Sequence, residues 1–291
     1  MSRVRLATSS YELFTRCRVP PRNQHCLLYT SFRRIHRCDS QFVNPRLHPL
    51  MSQSIVVHLG DDQWVSSHLD RHFHGQSNTF MPNSLTVPYR ISHWVPDGLP
   101  LLSRAHTARP LLLSMNVDYE RSKSRATIAS AVRASALSIG LPPSRLNLTE
   151  QMLNPRDAAI LASASTFCLC PTGDSKGFTA RFYFSLLHGC LPVRVDGWER
   201  DPRRAPPAYP FPELLDWSRL VLDIPLGQVP SLLPRLATMS TDEIESRQRY
   251  LRRVAHYFLY DFHAHRHHDA PAALTMTLEM RLGLRSSPPL S

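Results

Sequence analysis

Arg181 and Arg125 are the side chains in this 291-residue chain best suited to hold a phosphate. A guanidinium is planar and permanently charged, and its fork of N–H donors matches two phosphate oxygens at once. Arg181 follows closely on Gly173, Asp174, Ser175 and Thr179. Glycine and small polar residues leave backbone N–H groups turned toward an anion just before a helix begins. Two cations beside such a loop would stabilise a diphosphate as it leaves a reacting carbon. Each also admits a plainer reading: Asp174 can cap the helix or set the turn, and either arginine can be a solvated helix residue. A transfer to a hydroxyl also needs a base. His58, Asp61 and Asp62 stand at the end of a short apolar run and are the candidates, although a turn after an edge strand has the same composition.

The elements that must position these groups follow from apolar patterning. Residues 167–170 are an apolar run, an amphipathic helical pattern follows the loop 172–179, and Leu191-Pro-Val-Arg-Val195 is a second apolar run. Strand, polar loop, helix and strand make a βαβ unit, with the loop at the carboxyl end of its first strand, where α/β sheets bind nucleotides. A strand over 110–115 precedes a polar turn and a helix from Arg125 to Ile139, which Gly140 and Pro142 end. A short helix over 157–164 feeds the strand at 167. Leu214-Leu-Asp-Trp217 reads as a helical turn, 220–224 as a further strand, and 229–236 and 241–262 as helices, the last capped from Thr241. The alternation predicts an α/β fold with a Rossmann-like parallel sheet of at least four strands between 110 and 225. Before it only two weak strands are predicted, at 54–59 and 85–89, so the amino-terminal α/β lobe looks truncated or incomplete.

Composition narrows the classes. A hydrophobic fraction of 42% suffices for one large domain or two modest ones, and 20% charged residues exclude a disordered polyelectrolyte. The net charge of +11 suits anionic partners without choosing among them. No helix-turn-helix, zinc finger or aromatic RNA-binding strand accompanies it, so nucleic acid is not expected as a partner. Residues 1–50 hold nine arginines against Glu12 and Asp39 and read as a basic, irregular leader without stable structure, an organelle transit segment being the other reading. No run approaches the ~20 apolar residues that span a bilayer, and no secretory leader is evident. Cys168, Cys170 and Cys190 fall on predicted buried elements and are expected to be inert thiols. His263, His265, His267 and His268 crowd one stretch, but only His263 and His267 have helical i, i+4 spacing, so no metal site is expected. Trp217 is expected in the core.

The segment Ser165-Thr-Phe-Cys-Leu169 with Pro171, Gly173-Asp-Ser175, Arg181 and Gly189-Cys-Leu-Pro-Val193 resembles the exostosin-like glycosyltransferase family. Tyr209-Pro-Phe211, Leu214-Leu-Asp-Trp217 and Val221 continue the resemblance, which spans roughly residues 54–262 and is strongest over 163–225. The family has two facing Rossmann-like lobes. The resemblance implies a nucleotide-sugar donor, in the commonest case a UDP-sugar, with Arg125, Gly173, Asp174, Ser175, Thr179 and Arg181 on the donor. It implies an inverting transfer to a glycan or protein hydroxyl, with His58 or Asp61 as base, no metal and no cofactor. A catalytically weakened binding or scaffold module is the alternative. It also implies the Golgi or another secretory-pathway membrane. The corresponding organisation is a leader at 1–50, a partial acceptor-side lobe at 51–105, a nucleotide-sugar lobe at 106–282 and a frayed tail at 283–291. One departure lies inside the donor unit. Three residues after Arg181 the family carries an acidic residue, and here stands Phe184, which cannot accept hydrogen bonds from ribose hydroxyls.

Overall fold

The computed structural model describes residues 27–29, 55–58, 84–89, 91, 106–118, 123–171, 179–196, 209–260, 269–281 and 283–284. Its strands form two parallel sheets. In the first, β1 (Leu27–Tyr29), β2 (Ile55–His58) and β3 (Ser84–Thr86) pair in that order. The second contains β4 (Leu111–Asn116), β5 (Leu146–Thr149), β6 (Ser165–Pro171), β7 (Leu191–Asp196) and β8 (Leu222–Pro225), in the order β5-β4-β6-β7-β8. The described α-helices are α1 (Lys123–Ser138), α2 (Pro155–Ala164), α3 (Ala180–Leu187), α4 (Trp217–Leu220), α5 (Leu232–Ala237), α6 (Thr241–Val254) and α7 (Ala270–Arg281). This is the expected α/β fold with a Rossmann-like parallel sheet. The chain leaves β4 on one side for β5 and returns on the other for β6. The crevice between the carboxyl ends of β4 and β6 is therefore the topological switch point, where open α/β sheets hold ligands.

The local chemistry explains most of these boundaries. All seven residues of β6 are buried, as a central parallel strand requires. Asn154 caps α2 by accepting from the Asp157 N–H at 3.0 Å, with Pro155 in the first turn, where its missing N–H costs nothing. Ser240, rather than Thr241, caps α6 through the Glu243 N–H at 3.2 Å. Gly140 and Gly189 end α1 and α3 with φ of 63° and 71°, a backbone state that other residues adopt at a cost. α1 packs with Leu226–Ser231 and α5, whereas α3, α6 and α7 gather around the tight turn Ala255–Phe258 and α4 packs on α6. The parallel sheet is thereby covered by helices.

Four elements differ from expectation. Leu27–Tyr29, within the stretch expected to be an irregular leader, is β1, paired in parallel with β2; three residues are too short a run to stand out in an arginine-rich stretch. β5 is an edge strand whose Leu-Asn-Leu-Thr sequence carries little apolar signal. The long helix expected over 241–262 ends at Val254 and continues as a single tighter turn. α7, with Pro271 in its first turn, was not expected, and Gly283 with Leu284 closes it through bonds to Met280 O and Glu279 O.

Leu85, Val87 and Ile91 join one core with Leu113, Phe167, Leu186 and Phe258. Tyr260 Oη donates to Pro88 O at 2.7 Å, and Tyr89 lies 6.1 Å from Tyr183 of α3, so the chain beyond β3 packs on the helix that carries Arg181. Arg109 is buried and donates to the carbonyls of Ala162, Ser165 and His188, joining the ends of α2, β6 and α3. Trp217 is in the core as expected. It lies 4.5 Å from Tyr209 and 5.9 Å from Phe182 and donates to Pro210 O at 2.7 Å. Cys168 and Cys190 are not thiols but form a disulfide between β6 and the residue preceding β7. Their Cα atoms are 5.7 Å apart, an ordinary disulfide spacing. Cys170 alone among the described cysteines remains a buried thiol.

Candidate functional site

The two arginines singled out by sequence both bond to carbonyls at the exit of β4. Arg125, in the first turn of α1, donates through Nη1 to Asp118 O at 3.0 Å. Arg181, in the first turn of α3, donates through Nη1 to Asn116 O at 3.2 Å. The accepting carbonyls are two residues apart in one extended stretch, about 7 Å of chain. Both guanidiniums therefore stand at the carboxyl end of β4, at the switch point. Arg125 is only 3% exposed, and its Nε has no hydrogen-bond partner. No carboxylate pairs with it among the described residues. Asn116, which sequence reasoning missed, fixes this exit: its Oδ1 accepts from Leu153 N at 3.0 Å and from Thr149 Oγ1 at 3.3 Å. An asparagine directly after a buried Leu-Leu-Leu-Ser-Met run was the available signal.

α3 carries Arg181 out of the βαβ unit. Thr179 is its amino-terminal cap residue, and its carbonyl accepts from Phe182 N at 3.0 Å, with no side-chain cap bond. On the face of β6 toward α3, Cys170 Sγ lies 3.7 Å from Ser185 Oγ. Burial raises the Cys170 pKa to about 11, against the opposing pull of the Ser185 hydrogen bond and the Arg181 charge. Phe184 is buried and its ring lies 4.1 Å from that of His188. Phe184 is thus part of the core packing of α3. His188 Nδ1 sits 2.7 Å from Phe184 O, and burial holds the His188 pKa below its ordinary value, with the Arg109 charge acting in the same sense.

A second polar cluster lies on β7 and β8. Arg194 is 4% exposed, and its Nε donates to Asp223 Oδ1 at 2.5 Å, while Tyr209 Oη donates to Asp223 Oδ2 at 2.6 Å. Burial raises the Tyr209 pKa, which keeps its hydroxyl a donor. Sequence reasoning missed this triad, because Arg194 and Asp223 are paired only by strand register.

His58 ends β2, in register with Thr86 of β3. Gly173, Asp174, Ser175, Asp61, Asp62 and the histidines of 263–268 lie outside the described residues. Among the described residues no group of three or more His, Cys, Asp or Glu could hold a metal ion, and no helix is long and apolar enough to cross a membrane.

A cationic pair at the switch point of a parallel sheet is an anion-binding arrangement, and the chain is by architecture an α/β protein of Rossmann-like type. No family model matches it. Among solved structures it is similar to the Anabaena protein HepE, in its crystal structure with UDP and glucose, with a TM-score of 0.44 and 9% sequence identity over 90% of this chain and 72% of that one.

Proposed function

We propose that this protein is a glycosyltransferase of exostosin type that moves a sugar from a UDP-sugar to a hydroxyl of a glycan or glycoprotein. The observation that carries this is that Arg125 and Arg181 both bond to carbonyls at the exit of β4, with Arg125 buried and given one described hydrogen bond. A diphosphate at that point would take the guanidinium donors from two neutral carbonyls. Charged phosphate oxygens accept stronger bonds than carbonyls do, so the exchange is favourable. In the transfer an acceptor oxygen bonds to the anomeric carbon as its bond to the diphosphate breaks. The departing electron pair ends on phosphate oxygen, where both arginines meet the growing charge. The acceptor proton passes to a base, for which His58 and Asp61 remain the candidates, and inversion at the anomeric carbon follows from a single displacement. The guanidiniums supply the positive charge, so no metal or cofactor is invoked. Gly173, Asp174 and Ser175 would add backbone donors ahead of Thr179 and α3.

The Cys168–Cys190 disulfide supports maturation in an oxidising compartment, as the secretory pathway is. A second reading is a module that holds the nucleotide without transferring sugar. The observation favouring it is Phe184, buried where a carboxylate would meet ribose hydroxyls. One experiment separates the two. UDP should raise the melting temperature under both, whereas release of UDP from UDP-sugars, with or without acceptor, occurs only in the enzyme. No thermal shift with any nucleoside diphosphate would sink both.

A further inference from the structure

Asn116 ends β4 at the switch point, and its own carbonyl accepts from Arg181 Nη1 at 3.2 Å. Its side chain is held from the other direction. Oδ1 accepts from Leu153 N, just ahead of α2, at 3.0 Å. It also lies 3.3 Å from Thr149 Oγ1 of β5, a hydroxyl that it shares with Met115 O at 3.1 Å. A backbone N–H only donates, so the amide atom facing Leu153 is the oxygen, and the side chain has one orientation.

That orientation decides what the other half of the amide offers. A carboxamide is planar, with oxygen and nitrogen on opposite branches of one carbon. With Oδ1 turned to Leu153 and Thr149, Nδ2 is turned away from both. Asn116 is partly exposed, and among the described residues Nδ2 has no acceptor. Only the residue's own bonds separate Nδ2 from the carbonyl that Arg181 takes, so the two are at most about 6 Å apart. A fixed pair of N–H donors therefore stands beside the Arg181 guanidinium, at the carboxyl end of a parallel sheet. An amide already held in place loses little rotamer freedom when a ligand arrives, which makes it an effective donor.

We propose that the Asn116 side-chain amide is a third donor to the diphosphate, beside Arg125 and Arg181, a role that rests on the nucleotide-sugar reading above. Nδ2 bonds a phosphate oxygen while Oδ1 stays on Leu153 N. The amide is neutral, so it adds a hydrogen bond at the phosphates without a further charge to desolvate.

The test titrates UDP, pyrophosphate and uridine into wild type, N116A and N116D, with the unliganded melting temperature recorded for each. N116D is the sharper change: its carboxylate still accepts from Leu153 N, but presents oxygen where Nδ2 stood. N116A should weaken UDP and pyrophosphate about tenfold, the loss of one hydrogen bond to a charged group, and N116D by more. Uridine affinity should be unchanged in both, and N116D should melt with wild type. A second measurement uses wild type alone. In magnetic resonance spectra of protein carrying isotope-labelled asparagine, the Asn116 side-chain N–H pair should shift on adding pyrophosphate and stay still on adding uridine. If either variant fails to fold, that resonance decides. Wild-type pyrophosphate affinity in N116D, a parallel loss of uridine affinity, or an Asn116 pair unmoved by bound pyrophosphate overturns the proposal. Failure of wild type to bind UDP or pyrophosphate overturns the nucleotide-sugar reading itself.

Discussion

Replacing Arg125 by methionine should improve the stability of the unliganded protein while removing its nucleotide. Methionine keeps an unbranched apolar stem of similar length and fills irregular space. In the unliganded protein the guanidinium makes one described hydrogen bond, to Asp118 O, and leaves Nε unpartnered at 3% exposure. Losing that bond costs about 1.5–3 kcal/mol. Against it stands the desolvation of a buried cation without a carboxylate, a penalty of several kcal/mol. The difference favours R125M by about 1 kcal/mol, or roughly 2–4 °C in melting temperature for a chain of this size. The ligand term runs the other way. Two charge-assisted bonds to phosphate, about 3 kcal/mol together, amount to about a hundredfold in UDP affinity. UDP at 100 times the wild-type dissociation constant stabilises wild type by about 2.7 kcal/mol and R125M, then near its own dissociation constant, by only about 0.4 kcal/mol. Differential scanning fluorimetry with and without UDP measures both terms. A variant that loses more than about 2 kcal/mol without ligand yet keeps the full UDP shift would make Arg125 a structural residue and refute the reasoning.

Three further outcomes follow from described contacts. C168A/C190A should lose about 3 kcal/mol in urea unfolding, the chain-entropy value for a separation of 22 residues. Cys170, buried with its pKa raised to about 11, should resist iodoacetamide in the native protein and label only after unfolding, which peptide mass mapping reads directly. His188 has its pKa lowered from 6.5, so the unfolded chain binds its proton first. Its contribution to stability is whole above pH 6.5 and is lost as pH falls below it, so unfolding of wild type at pH 7.5 and 5.5 should differ more than that of H188N.

The parallel sheet was legible because its strands are buried on both faces and read as unbroken apolar runs, such as Leu111–Met115 and Phe167–Cys170. β1 and β5 were not, since each has three or four residues and lies at a sheet edge, where pairing rather than apolar content defines the strand. Arg125 and Arg181 were legible as types at helix starts. That both reach the exit of β4 was not, because it depends on β4 and β6 being neighbours, a fact of strand order that no local window carries. The disulfide escaped for the same reason: Cys168 with Cys170 looked like one strand face, and only the pairing of β6 with β7 brings Cys190, the residue just ahead of β7, within reach of the first of them.

The three buried arginines described in the main lobe argue for which one is functional. Arg109 spends its fork on three carbonyls at the ends of α2, β6 and α3. Arg194 pairs with the Asp223 carboxylate, which Tyr209 holds from its other oxygen. Burial of each is thereby offset by acceptors the fold itself provides, as a structural arginine requires. Arg125 is equally buried, at 3% against 4% for the other two, but is given a single carbonyl. A chain that gives two such residues several carbonyls or a carboxylate could do the same for the third, and a carboxylate at Asp118 stands on the very residue whose carbonyl Arg125 takes. Leaving that guanidinium short of acceptors costs stability and is sensible only where an outside anion completes it. Phosphate oxygens beside Arg181 would do so, which makes the single carbonyl the fold gives Arg125, against three for Arg109 and a carboxylate for Arg194, the best mark of where the ligand sits.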